Sequence, residues 1–161
     1  MRVYIQDTYP EDFAHCYGCG YKNPQGHRFR TYYDEAAGET VTCYRPRPEH
    51  TAVPGFVYGG LIASLIDCHS SGSAAIFKML AEGRRPGQGA APRFVTARLE
   101  VDYLRPTPLG PELCVRGRAA EVKDRKVVVE SRLFAGDQET VRGRAVLVLL
   151  PEGMARRARD A

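Results

Sequence analysis

The stretch PGFVYGGLIASLID, from Pro54 to Asp67, carries the residues best suited to chemistry. A glycine pair, Gly59 and Gly60, opens an apolar run, and one acid, Asp67, closes it. A helix beginning at the glycines would aim its unpaired N–H groups and positive dipole end at charge developing on a nearby oxygen. Glycine there leaves room for the reacting group, because no Cβ stands in the way. The same glycines would also serve a tight helix entry and nothing more. Asp67, set among apolar residues, is costly to bury without a partner. It is a candidate general base on water or a nucleophile in its own right, and otherwise a structural carboxylate bonded to a hydroxyl or an arginine. Ser71 lies one turn further on the same face, where it could hold that carboxylate or the attacking water. It also belongs to the small-residue cluster SSGSAA (70–75), which suits close packing. His69 faces about 200° away from Asp67 in a regular helix and reads as a core or interface histidine. Tyr58 stands at the helix entry, where its hydroxyl can donate one hydrogen bond or its ring can pack and shape a pocket.

A second cluster, HCYGCG, poses a metal question. His15, Cys16, Cys19 and His27 supply two thiols and two imidazoles in a short stretch. A structural zinc site needs four ligands, usually with a second tight pair at a set spacing. That pair is absent and His27 opens a strand, so no metal is expected. Gly18, Gly20, Asn23, Pro24 and Gly26 are turn-forming residues that give the segment a structural role. Five cysteines, an odd and scattered set, argue against a disulfide framework. A net charge of +4 permits an anionic ligand without calling for nucleic acid. No apolar run is long enough to span a membrane, and MRVYIQDTYPEDFAHC lacks an apolar signal core, so a cytoplasmic protein is expected.

The elements that must position these residues follow from periodicity. The 161 residues suggest one domain, spanning 1–161. HRFRTYYD (27–34) and ETVTCYRP (39–46) read as a hairpin. RPRPEHTAVPG (45–55) is a loop. Leu61, Leu65, Cys68, Gly72, Ile76 and Met79 recur at helical spacing, predicting one largely buried helix from about Gly59 to Glu82. RFVTARLEVDYLRP (93–106) reads as a strand with Val95, Ala97, Leu99, Val101 and Tyr103 on one face. LCVRGRAAEVK, KVVVESRLFAG and ETVRGRAVLVLL follow as three more. The basic end ARRARDA reads as frayed and solvated. The order β-β-α-β-β-β-β, with one apolar helix in an antiparallel meander, buries that helix most simply by curling the sheet around it. This is an α+β hotdog fold.

PEHTAVPGFVYGGLIASLID resembles the helix-entry motif of hotdog acyl-CoA thioesterases of the phenylacetate-pathway and 4-hydroxybenzoyl-CoA type. Gly55, Tyr58, Gly59, Gly60 and Asp67 fall at the spacings of that motif's Gly, His-Gly-Gly and acid. CYGCGYKNPQG (16–26) and VTARLEVDYLRPTPLG (95–110) resemble further stretches of the same superfamily. The resemblance implies hydrolysis of an acyl-CoA or related thioester, with Gly60 polarising the carbonyl and Asp67 acting on water or on the thioester. Gly59 would border the substrate; His50 is a candidate to border it too, or equally a histidine on a surface loop. Coenzyme A would enter as part of the substrate, with no separate cofactor, and its phosphates would favour basic residues such as Arg84 and Arg85. Gly60 and Asp67 are two turns apart, roughly 10 Å along the axis, too far for one carbonyl carbon to meet both. The site is therefore expected between subunits, in a homodimer or a dimer of dimers.

The chain departs from the motif twice. Tyr58 stands where the family has His, and Ala52 where it has Asn or Gln; His50 is the polar residue nearest in sequence. These departures suit an alternative, a non-hydrolytic acyl-CoA binder on the same fold. A hydratase would place a histidine at position 72, which is Gly72. A zinc-containing interaction module would show stoichiometric metal.

Overall fold

A computed structural model describes every residue from Met1 to Ala161. The hairpin comprises β1 (Thr31–Asp34) and β2 (Glu39–Tyr44). Helix α1 runs from Gly59 to Ala81. Strands β3 (Phe94–Tyr103), β4 (Leu113–Val122), β5 (Lys126–Ala135) and β6 (Gln138–Leu149) follow. All pairings are antiparallel, in the order β1-β2-β4-β5-β6-β3. Helix α1 packs against every strand of this sheet, which is the hotdog arrangement.

Period-2 alternation puts Val127, Val129, Leu133, Val141, Ala145 and Leu147 of the central strands under the helix. The helix answers with Leu61, Leu65, Ile66, Ile76 and Met79, none of them exposed. Two mid-strand glycines set how close it comes. A Cβ at Gly117 would lie 2.4 Å from His69 Nε2, and one at Gly143 2.6 Å from Ile66 Cγ2. Both strands give up a side chain so that α1 can lie down on the sheet.

Three expectations change. The inward face of β3 is not one continuous alternation. A bulge between Thr96 and Arg98 adds a residue and flips the parity. Leu99 and Val101 pack inward as expected, but before the bulge it is Phe94 and Thr96 that face the helix, not Val95 and Ala97. The basic end is not frayed: Glu152–Asp160 forms a second helix, α2, which buries Ala155. Its guanidinium at Arg159 sits 5.9 Å from the Phe13 ring centre. Glu152 in the first turn and Arg157 and Arg159 in the last complement the helix dipole. Finally, there is one disulfide. Cys43 and Cys114 are direct partners across β2 and β4, with Cα atoms 4.1 Å apart, and are bonded. A count of cysteines could not reveal that two of them would be register partners.

Candidate active site

Tyr58 is the N-cap of α1, in extended conformation, and no side chain caps the helix. Its first N–H groups are therefore open to a ligand. Both glycines are walled by aromatic rings. A Cβ on Gly60 would come within 2.7 Å of the Tyr58 ring, and one on Gly59 within 3.2 Å of the Tyr103 hydroxyl. Gly60 thus makes room first for Tyr58, which folds back over the first turn. Tyr103 donates to the Gly59 carbonyl at 2.7 Å and ties the end of β3 to the helix start. Beside them lies an apolar groove of about 610 Å³, lined by Gly59, Ile62, Val53, Phe56, Tyr103 and Leu104, with Ala52 on its wall. Four of these, Val53, Phe56, Tyr103 and Leu104, are large apolar residues left exposed.

His50 does not face this groove as a substrate-binding residue would. It is buried, its carbonyl accepts from the Tyr58 N–H at 3.1 Å, and its Nδ1 accepts from the Arg47 N–H at 3.0 Å. That contact places its proton on Nε2. Burial, and then the charge of Arg47, hold its pKa below the ordinary histidine value. The ring extends an aromatic row through Tyr44, His27 and Phe29 that props the helix entry from behind.

Asp67 is half-buried two turns along α1, and Thr96 donates to its Oδ1 at 2.5 Å. Sequence reasoning overlooked Thr96 because the expected alternation put it on the outer face; the bulge turns it in. Ser71 is buried and donates to the Cys68 carbonyl at 3.3 Å, and no bond joins it to Asp67. Arg84 and Arg85 follow the far end of α1, roughly 30 Å from Gly60 along the axis. Each is paired, with Glu82 at 2.9 Å and Glu35 at 2.7 Å. Within one chain they do not join the glycines. The structure therefore brings together Tyr58, Gly59 and Gly60, sets Asp67 apart on the same helix, and places Ser71, Arg84 and Arg85 elsewhere.

His69 is fully buried in a closed polar chain. Gln6 Nε2 donates to Thr31 Oγ1 at 2.9 Å, Thr31 and Thr42 share a bond of 2.8 Å, and Thr42 Oγ1 meets His69 Nδ1 at 2.8 Å. The donors run in one direction, so Nδ1 accepts and Nε2 carries the proton toward Ser73 Oγ at 3.3 Å. Ser73 also meets Thr40 Oγ1 at 2.7 Å. Burial lowers the His69 pKa to about 3, so the ring is neutral. It is the satisfied core histidine that its position relative to Asp67 suggested.

Of the four groups weighed as metal ligands, Cys16 and Cys19 come together, but with Cys68 of α1 in place of either histidine. His27 is stacked between Tyr17 and Phe29.

The family model of the thioesterase superfamily matches residues 54–142, more than half of the chain and the whole span from helix entry to β6. This chain belongs to the thioesterase superfamily. A thioesterase superfamily protein from Shewanella loihica is 45% identical, with a TM-score of 0.66 over 91% of this chain and 99% of that one. The Xenopus laevis acyl-coenzyme A thioesterase THEM4 is 27% identical over 125 residues, 78% of this chain and 50% of that protein. The chain thus spans about half the length of the curated relative. A Streptococcus mutans protein, smu.793, solved with acetyl-CoA bound, shares the fold at 18% identity, with a TM-score of 0.58 over 76% of this chain and 88% of that one. No helix is long and apolar enough to cross a membrane.

Proposed function

We propose that this protein hydrolyses acyl-CoA thioesters, at a site built from the helix start of one chain and Asp67 of a second. The observation that carries the reading is the uncapped N-terminus of α1 at Gly59–Gly60, opening beside an apolar groove. A thioester carbonyl seated there has N–H donors and the positive end of a 23-residue helix at the oxygen where charge develops. The acyl chain has an apolar wall to lie on. Asp67, oriented by Thr96, activates the water or attacks the carbonyl. No metal or cofactor is needed for these steps, and coenzyme A leaves as the thiol. The activity of the Xenopus relative and the acetyl-CoA bound to the S. mutans protein support the substrate class.

The separation of Gly60 and Asp67 along one helix supports sharing between chains, as does the sheet edge at β3, which pairs on one side only. Tyr103 and Leu104, exposed beside that edge, would be covered in a dimer.

The test is thiol release from short, long and aromatic acyl-CoAs by the purified protein and by Asp67→Asn. Turnover that collapses in the variant supports the reading. Saturable binding of the esters without turnover would favour the binder alternative, for which Tyr58 and Ala52 at the positions of the family's His and Asn or Gln are the specific observation. Mixing Asp67→Asn chains with chains altered at Gly60 tests the shared site. Activity returns on mixing only if each site draws one residue from each chain.

A further inference from the structure

Cys16, Cys19 and Cys68 form a group that the reaction above does not use. Their three sulfurs lie within 4.8 Å of one another, and Cys16 and Cys68 are 3.9 Å apart. Three thiolates around a tetrahedral zinc, with Zn–S bonds of about 2.3 Å, stand about 3.8 Å from each other. The loop between the first two cysteines wraps closely over the third, since a Cβ on Gly18 would meet Cys68 Sγ at 2.3 Å. Cys19 and Cys68 are buried, while Cys16 is partly open and lines a small pocket of about 220 Å³ with His15, Asp12 and Arg93.

We propose that these three cysteines bind a zinc-like divalent ion that fastens the N-terminal segment to helix α1. The fourth ligand has to come from the pocket side, where water has access and His15 stands on the wall.

Charge also fits this site. Three thiolates and a divalent ion leave one negative charge, and a half-buried cation stands ready for it. Arg93 has no carboxylate partner, lies 4.8 Å from the Tyr9 ring centre, and donates to the carbonyls of Phe13 and Phe94. Burial works against its charge, but Tyr9 and the three thiols outweigh burial and raise its pKa. The Tyr9 hydroxyl, within reach of the same field, is buried without a hydrogen-bond partner. Metal binding deprotonates the three thiols and releases their protons. No electrons move, so no oxidant is required.

Cys68 directly follows Asp67, so the ion would hold the turn of α1 that carries the acid. The proposal rests on the thiols alone and stands whether or not the chain hydrolyses thioesters.

The experiment begins with the full chain purified without chelator and analysed for metal. About one zinc per chain is expected. Stripping and reloading with Co²⁺ should give thiolate-to-metal charge-transfer bands and the visible bands of a tetrahedral ion. Both signals should be lost in Cys16→Ser, whose half-exposed position tolerates the change, even if Cys68→Ser does not fold. A thiol reagent should reach the three cysteines only after chelation. Protein that neither carries zinc nor develops the cobalt bands would overturn the proposal. So would mass spectrometry that finds two of the three joined as a disulfide in the freshly isolated chain.

Discussion

Helix α1 treats polar groups in opposite ways along its length. Its N-terminal end leaves them open: an uncapped turn, two glycines and an exposed apolar groove. Two to four turns on, His69 and Ser73 are enclosed and bonded to Thr42 and Thr40 of β2. The same helix thus carries a region with uncapped donors and a region whose polar groups are paired. A buried polar group with all its partners holds the fold together, whereas donors left free beside an apolar groove await a ligand. Asp67 sits at the junction, half-buried, with one bond from Thr96 and the rest of its carboxylate uncommitted.

The sharpest way to break this contrast is Asp67→Asn. Activity should fall about 100-fold or more, as for loss of a general base, while the melting temperature barely moves. A variant with full turnover would move Asp67 into the structural region. The next effect belongs to the closed region. His69→Ala should cost about 2–4 kcal/mol in denaturant unfolding, by leaving a cavity and unpaired hydroxyls at Thr42 and Ser73, with turnover per folded molecule unchanged. Its pH dependence follows from the shift. The unfolded ring takes its proton near pH 6.5 and the folded ring only at about 3. The unfolded chain therefore binds more protons between these values, so stability rises with pH there. The contribution is complete above about pH 6.5 and falls roughly tenfold in the folding equilibrium for each unit below it, until about 3. His27 and His50 shift in the same direction, so the difference between wild type and His69→Ala across a pH series isolates His69. An unchanged slope would mean that the ring is not buried neutral.

Thr96→Val tests whether the bulge serves the site. A loss of about tenfold in kcat, or about 1.4 kcal/mol, with little change in KM is expected. An unaltered kcat would leave the bulge as a matter of packing. Tyr103→Phe removes the bond to the Gly59 carbonyl and should cost about 1 kcal/mol or less in stability. Tyr58→Phe should have the smallest effect, under about 0.5 kcal/mol, because the hydroxyl has no protein partner. A large loss of turnover in Tyr58→Phe would show that this hydroxyl touches the substrate.

What could be read in the sequence tracks what local rules control. The bounds of α1 were legible because the opening glycine pair, the closing Gly- and Pro-rich stretch and the 3.6-residue period act within a few residues. The number of strands and their succession along the chain were legible from period-2 alternation and turn residues, but not that β3 leaves the meander to pair with β6 at the far edge of the sheet. The β3 face was misread because one bulge residue, invisible to composition, reverses every side chain on one side of it. The C-terminal helix was missed because its nine residues carry little apolar surface of their own and settle against Glu11–Phe13. His50 in its loop gave no local sign of burial, which depends on rings from Tyr44 and Tyr58.

By itself, the sequence determined the helix, the strands, the hotdog class, and the glycine pair and acid on one helix. Those follow from short-range sterics and from the need to bury one apolar face. Only the tertiary structure decided which residues meet across long separations. It put Thr96 on Asp67, enclosed His69 among Thr42 and Ser73, paired Cys43 with Cys114, and brought Cys68 to Cys16 and Cys19. Such meetings depend on strand register and on how closely Gly117 and Gly143 let the helix approach the sheet. No local pattern encodes either one, because both are settled by the packing of the whole core.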